Sequence, residues 1–259
     1  MKGKTALITG SSEGLGYAMA QGLAQAGCDI VLHGLEAPEA VAPRCAELAE
    51  RHGVSAIYLR ADLTDPQAIE RLMAEAGERL GGVDVLVNNA VVRHYADTAD
   101  FPVDKWDRAL AVNLSAAFHT IRLALPGMRE RGWGRIVNMS SVYGTRAAAN
   151  RIDYVTTKTA LLGMTRVVAL ENVSRGVTCN AVCPGSVLTP DTDGRVSRIM
   201  AEHGLDRAAA TRTFLAGKQP SQSFIPASHV ADLLVFLCGP AGSHITGAML
   251  PVDGGWLVS

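Results

Sequence analysis

Thr5-Ala6-Leu7-Ile8-Thr9-Gly10-Ser11-Ser12-Glu13-Gly14-Leu15-Gly16 passes from a short apolar run straight into a glycine pattern of spacing GxxxGxG. The run reads as a buried strand, and residues 14–26 behind it show a helical period. Glycines between a strand and a helix allow a tight turn and close approach of the backbone to an anion, whose charge then meets the helix N-terminus. Set between a first strand and a first helix, the pattern is much better evidence for a dinucleotide pyrophosphate site than a glycine-rich turn alone.

The same alternation continues outward. Apolar, β-branched runs recur at 29–33, 55–59, 83–87, 135–139 and 177–182, separated by helical periods at 38–51, 66–80, 103–129 and 154–174. Repeated strand, helix, strand units imply right-handed crossovers and a parallel sheet covered on both faces, with ligands at the carboxyl ends of its strands. Residues 186–227 break the rhythm, with no strand and two short helical stretches at 196–203 and 206–216. An insertion of that size after a strand end is expected to be a substrate lid, the alternative being a surface elaboration without function.

At 259 residues and 48% hydrophobic, the chain is expected to form one domain over 1–259, since no Pro/Ser-rich linker interrupts it. A formal charge of -1 and the absence of Lys/Arg runs argue against a nucleic-acid partner. No apolar segment reaches a membrane span, and MKGKTALITG lacks a signal-peptide pattern. Five scattered cysteines favour a reducing, cytoplasmic setting. Cys179 and Cys183 form a CxxxC, read as buried thiols because no other His or Cys pair completes a tetrahedral metal set.

The end of the second strand run carries the residue that reads the adenosine ribose, an acid for NAD or a base for NADP. Here it is His33-Gly34-Leu35-Glu36, without Arg or Lys, and Glu13 in the glycine loop would repel a 2′-phosphate, so NAD is favoured over NADP. A solvated loop carboxylate is the alternative for Glu36. Asp62, followed by Leu63, ends the third run and is placed to accept from the adenine amino group, with a helix N-cap as its alternative.

Tyr154 and Lys158 stand four residues apart on a helical period, and Ser141 lies thirteen residues upstream of the tyrosine. Positions i and i+4 share a helix face, so the ammonium can approach the phenol. A free phenol has a pKa of about 10; acting as a base near neutrality requires lowering it by roughly three units, about 4 kcal/mol, which a neighbouring cation can supply.

With these motifs assembled, the chain resembles the short-chain dehydrogenase/reductase family over its whole length. The resemblance rests on Gly10/Gly14/Gly16, Asn88-Asn89-Ala90, Asn113, Ser141, Tyr154/Lys158, and Asn180 through Pro184-Gly185 to Thr189. It implies a Rossmann-like doubly wound α/β sheet. Tyr154 would exchange the proton of the substrate hydroxyl while hydride moves to or from the nicotinamide; Lys158 would lower its pKa and bond the nicotinamide ribose. Ser141 would orient the substrate oxygen, and Asn113 would support a proton-relaying water. Ser12, Glu13, Leu15, Asn89, Ala90, Pro184, Gly185 and Val187 would line the cofactor, with Thr189 near the nicotinamide amide. Val91 replaces the usual glycine after Asn-Asn-Ala, which would crowd the ribose or shift the backbone. The family also implies a homotetramer with residues 251–259 near a subunit boundary, and no metal.

Within the family the chain is most similar in pattern to D-3-hydroxybutyrate dehydrogenases, through Asp100-Phe101-Pro102, Lys105-Trp106-Asp107, Lys218-Gln219-Pro220 and the Val252 to Trp256 ending. Those enzymes hold a small carboxylate with two glutamines, a histidine, a lysine and a tryptophan. At the matching positions this chain has Arg93, Tyr143, Arg151, Arg195 and Trp256, and Ser186 replaces a further tryptophan. Three arginines need an anionic substrate, or Asp153, Asp191 and Asp193, to neutralise them, unless some face solvent. The expectation is therefore an NAD-dependent hydroxy acid dehydrogenase whose substrate is larger or more anionic than 3-hydroxybutyrate. The alternatives are a sugar or polyol dehydrogenase or a 3-oxoacyl reductase of the same fold, and, in another class, a non-catalytic nucleotide-binding regulatory protein.

Overall fold

A computed structural model describes residues 1–259. Seven strands build one sheet: β1 (Thr5–Ile8), β2 (Asp29–Gly34), β3 (Ala56–Arg60), β4 (Val85–Asn88), β5 (Gly134–Met139), β6 (Val177–Pro184) and β7 (Met249–Val252). All pairings are parallel, in the order β3-β2-β1-β4-β5-β6-β7. The order reverses between β1 and β4, which opens a crevice at their carboxyl ends. Six strands coincide with the apolar runs. The seventh was not anticipated: it is four residues long, only partly buried, and contains Pro251, which the ladder tolerates at a sheet edge.

Nine helices flank the sheet: α1 (Gly14–Gln25), α2 (Pro38–His52), α3 (Pro66–Leu80), α4 (Val103–Leu110), α5 (Ala116–Glu130), α6 (Ile152–Asn172), α7 (Pro190–His203), α8 (Arg207–Leu215) and α9 (Ala227–Cys238). Strand side chains alternate between two cores. Ala6, Ile8, Ile30 and Leu32 pack with Met19 and Leu23 of α1 and Leu234 of α9; Leu7, Val31 and Leu86 pack with Ile69, Ile121 and Val168 of α3, α5 and α6. Helix α9 was unanticipated because its apolar residues run nearly all round and blur the period. It crosses α1 where a Cβ on Gly22 would meet Ala231 Cβ at 3.1 Å.

Three sequence expectations are corrected. The helix expected over 103–129 is α4 and α5 joined by a π-helical turn, Ala111–Ser115, which brings Asn113 into the buried interior. Such turns recur at functional sites because the extra residue re-aims a side chain. The segment 186–227, expected without a strand, contains a strand-like bridge, Val187 to Ile225, with Ile225 N–H donating to Ser186 O at 2.9 Å, so its two roots are stitched together. Its first helix also starts at Pro190, earlier than expected, because Thr189 and Thr192 form a reciprocal capping box.

A polar network ties the strand ends to the helices behind them. Asn88 donates to Asn138 Oδ1 at 2.9 Å, Asn138 donates to Thr165 of α6 at 2.9 Å, and Thr120 of α5 donates to Asn88 Oδ1 at 2.7 Å, all buried. Asn138→Leu strands the buried Asn88 amide and is expected to cost about 1–3 kcal/mol, read as a lower urea midpoint with unchanged m-value.

Candidate active site

The crevice is a cavity of about 750 Å³ running along the carboxyl ends of the strands. At one end lies the glycine loop, with Gly10 and Gly14 at φ +61° and +59°. Asn89 locks this loop by donating from Nδ2 to Thr9 O at 2.9 Å and Gly10 O at 2.8 Å. A Cβ on Gly16 would lie 2.8 Å from that same Nδ2 and 2.2 Å from Gly10 O. The turn therefore stays bare backbone, and the first turn of α1 carries no acidic side chain, as a pyrophosphate requires.

His33 holds the loop from beneath. Its Nδ1 accepts from Gly10 N–H at 3.1 Å and its Nε2 meets Ala61 O at 3.1 Å, which sets the tautomer with the proton on Nε2. Burial pushes its pKa down to about 4. At the β2 end, the Glu36 carboxylate is exposed yet held, accepting from Ser12 Oγ at 2.7 Å and Tyr58 OH at 3.4 Å. Burial raises its pKa, and the hydrogen bonds from Ser12, the backbone and Tyr58 outweigh that and lower it. A Cβ on Gly34 would lie 2.2 Å from Glu36 Oε2, so the carboxylate folds across the place where a side chain at 34 would stand. Asp62 lines the cavity and accepts from Thr64 N–H and Oγ1, both at 2.9 Å. It is not the N-cap of α3; that is Asp65.

The middle of the cavity is formed by Ser141 after β5 and by Tyr154 and Lys158 in α6, all buried. Lys158 Nζ donates to Met139 O, at the end of β5, at 2.5 Å, and lies 5.6 Å from the Tyr154 ring centroid. Burial pushes the Tyr154 phenol up, but the charges of Lys158 and Arg93 and the approach of Ser141 outweigh it and bring its pKa below that of ordinary tyrosine. Burial also lowers Lys158. Asn113 stands apart from the main cavity. It accepts from Val92 N–H at 2.8 Å, donates to Val92 O at 3.0 Å, and bounds a second cavity of about 10 Å³ whose wall includes Lys158.

Beyond Tyr154 the cavity wall is cationic. Arg93, Arg151 and Arg195, placed there by sequence, do converge, together with Lys218, Tyr95, Tyr143 and Trp256. Arg93 and Arg151 lie 5.3 and 4.9 Å from the Tyr154 ring centroid. Arg151 and Arg195 both donate to the Tyr95 hydroxyl, at 2.8 and 3.2 Å. Of the three aspartates expected to neutralise them, only Asp191 does so, pairing with Arg93 at 3.8 Å and Arg195 at 3.3 Å. Asp153 is fully buried against His94 at 2.9 Å, and Asp193 pairs with Arg207. Every cofactor-lining residue named from sequence borders this one cavity. Thr189 does too, but its hydroxyl also caps α7. Sequence reading missed His33, Tyr95 and Lys218 as wall-forming residues; His33 and Lys218 stand in stretches read for other reasons, and the fold brings all three to the cavity.

Comparison with known proteins agrees with this geometry. Residues 10–257 match the family model described as Enoyl-(Acyl carrier protein) reductase. The chain is 42% identical to the D-beta-hydroxybutyrate dehydrogenase of Rhizobium meliloti (strain 1021), over 98% of each chain. It is 41% identical to the protein of that name from Cupriavidus necator, over 99% of each. The chain belongs to the short-chain dehydrogenase/reductase family. Members of this family are oxidoreductases of CH–OH groups with a nicotinamide dinucleotide cofactor, and the Rossmann-like sheet seen here is theirs. Among solved structures, the L-sorbose reductase of Gluconobacter frateurii complexed with NADPH and L-sorbose superposes with a TM-score of 0.95 at 29% identity, covering 100% of this chain and 98% of that one.

The His33 clamp gives a pH prediction. Its folded pKa of about 4 lies below the ordinary 6.5, so the unfolded chain binds a proton that the folded chain refuses. The stability it contributes is complete above 6.5 and is lost as pH falls from 6.5 through about 4, up to about 3 kcal/mol in all. Urea midpoints should fall over that window, and His33→Leu should be less stable at neutral pH yet fall less steeply with acid.

Proposed function

We propose that the chain is an NAD-dependent dehydrogenase interconverting a secondary hydroxy acid and its ketone, of the 3-hydroxybutyrate kind but with a larger or more anionic group. The observation that carries this reading is the cationic wall beside Tyr154, where Arg93, Arg151, Arg195 and Lys218 face a single carboxylate, Asp191. The D-beta-hydroxybutyrate dehydrogenase relatives support the hydroxy acid part. A second reading, sugar oxidation, has the likeness to L-sorbose reductase in its favour, but an uncharged sugar leaves the cations unmatched. A kcat/KM panel of hydroxy acids, polyols and aldoses tests both. Preference for a polyol would overturn the main reading, and preference for plain 3-hydroxybutyrate would overturn its second half.

The cofactor, when bound, supplies the hydride acceptor and donor. Tyr154 takes the hydroxyl proton as a base in oxidation and returns it in reduction, with Ser141 orienting the substrate oxygen. Lys158 holds the tyrosinate by charge and would bond a cofactor ribose hydroxyl. The small cavity between Lys158 and Asn113 is large enough for one water, giving the proton a route from the site. Helices α7 and α8 act as the lid. Tyr154→Phe should lower kcat by roughly 10²–10⁴-fold while retaining NAD binding. Oxidation requires the ionised phenol, so its rate should rise with pH through the Tyr154 pKa. Arg93 helps depress that pKa, so Arg93→Gln should move the rising limb to higher pH.

Glu36 and Glu13 at the adenosine end support NAD over NADP, because a carboxylate there accepts a ribose hydroxyl and repels a 2′-phosphate. With the same substrate, kcat/KM for NAD should exceed that for NADP, and Glu36→Ala should narrow the ratio by about tenfold. Exposed apolar residues on α5 and α6, among them Phe118, Val167 and Leu170, support a homotetramer, which light scattering would weigh directly. Five free cysteines fit a cytoplasmic setting.

A further inference from the structure

Beside its three arginines the cationic wall carries a fourth cation, Lys218. Lys218 follows α8 on a fixed backbone: its N–H donates to Leu215 O at 3.0 Å, and the next residue, the fully buried Gln219, accepts from Ser186 N–H at 2.7 Å. Its ammonium donates to Phe214 O at 2.7 Å and lies 4.1 Å from the Phe214 ring centroid, with no carboxylate among its partners. Lys218, Arg151 and Arg195 line the same cavity, and burial first, then the charges of the two arginines, lower the lysine's proton affinity. Within that cluster Arg151 and Arg195 share a single neutral acceptor, the Tyr95 hydroxyl, and Arg151 Nε is buried with no partner.

One carboxylate brings one charge on two oxygens. With Arg195 already paired to Asp191 at 3.3 Å, it would satisfy one of the two remaining cations, Arg151 and Lys218, and leave the other unmatched. The cofactor gives no relief, since an oxidised nicotinamide is itself cationic. A head group with two charges spread over three or more oxygens matches the cluster in both charge and acceptor number.

We propose that the acid end of the substrate carries two negative charges, and that Lys218 selects for the second. This rests on the hydroxy acid reading of the same site. The shared chemistry is a doubly charged oxyanion head, met either by a phosphonate or phosphate ester or by two adjoining carboxylates.

The test uses compounds with one alcohol, CH3–CH(OH)–CH2–X, where X is a carboxylate, a phosphonate or a malonate head, at a pH alkaline enough to keep the phosphonate doubly ionised. In the wild type, kcat/KM for the phosphonate or the malonate compound should exceed that for the carboxylate by about tenfold or more. Lys218→Met keeps the apolar stem, and in it that ratio should shrink about tenfold. A wild type that prefers the carboxylate, or a ratio that Lys218→Met leaves unchanged, overturns the proposal. Whichever of the two dianions is preferred identifies the source of the charge.

A second measurement separates this proposal from the reading beneath it. Propylphosphonate and butyrate, which cannot react, are titrated calorimetrically into the Tyr154→Phe protein with NAD present. If no hydroxy acid is turned over but propylphosphonate binds about tenfold more tightly in a Lys218-dependent way, the hydroxy acid reading fails and the dianion subsite stands. If butyrate binds equally well, the subsite proposal fails whatever the turnover.

Discussion

A lysine with only 3% of its surface exposed constrains the centre of this molecule. Removing such an ion from water costs several kcal/mol unless neighbouring dipoles and charges replace the lost hydration. Lys158 has the Met139 carbonyl at the end of β5 and the Tyr154 phenol one helical turn away. Both must be placed closely, and the surrounding chain does so. Ser140 Oγ donates to Lys158 O at 2.8 Å, fastening the helix to the strand end. Gly144 permits that approach, because a Cβ there would lie 2.7 Å from Ser140 Oγ and 3.1 Å from Lys158 O. The Asn88–Asn138–Thr165 network holds the same helix to the sheet from behind. A shift of α6 by a fraction of an ångström would leave the ammonium unsolvated, so the geometry of the proton-transfer group is tied to fold stability.

The first turn of α6 also settles where the negative charge goes. Asp153 Oδ1 accepts from the Tyr154 N–H at 2.6 Å and its Oδ2 is bound to His94, so it is spent on the helix start and is withheld from the arginines. Arg151, one step before the helix, is surrounded instead by the rings of Tyr95, Tyr143 and Tyr154, at 4.7, 5.1 and 4.9 Å from their centroids. Aromatic faces stabilise a cation by about 0.5–2 kcal/mol each and do not cancel its charge. The wall is thus folded and held, but electrostatically unfinished.

How far this could be read in advance depends on range. The glycine loop, six of the strands and the Ser141/Tyr154/Lys158 set were legible because each is a local pattern: a period, a turn signal or an i, i+4 pair. Helix α9 and strand β7 were not, since one is apolar on nearly all sides and the other is short, part-exposed and interrupted by Pro251. The π-helical turn at Asn113 carries no compositional signal, and only the double hydrogen bond to Val92 reveals its purpose. Arg93, Arg151 and Arg195 could be named by matching positions, but their convergence depends on contacts such as Arg93 with Asp191 and Arg195 with Tyr95, 98 and 100 residues apart in the chain, that no periodicity encodes; only the Arg195–Asp191 pair, at i, i+4 on α7, is local. Lys218 and His33 were legible only as members of longer stretches, and their place in the site comes from what the fold sets opposite them.

Arg93 joins the two halves of the site. It lies over the Tyr154 ring and helps depress the phenol's pKa, and it also shares Asp191 with Arg195 on the cationic wall. A single charge serving both places makes them dependent on each other. An anion that pairs with Arg93 screens it from the phenol, raising the cost of ionising Tyr154 while that anion is in contact. The other cations of the wall avoid this conflict: if Arg151, Arg195 and Lys218 take the acid end, Arg93 keeps its charge directed at the proton-transfer group. The surplus of cations then has a division of labour, in which one arginine sets the acidity of the phenol and the others recognise the anion.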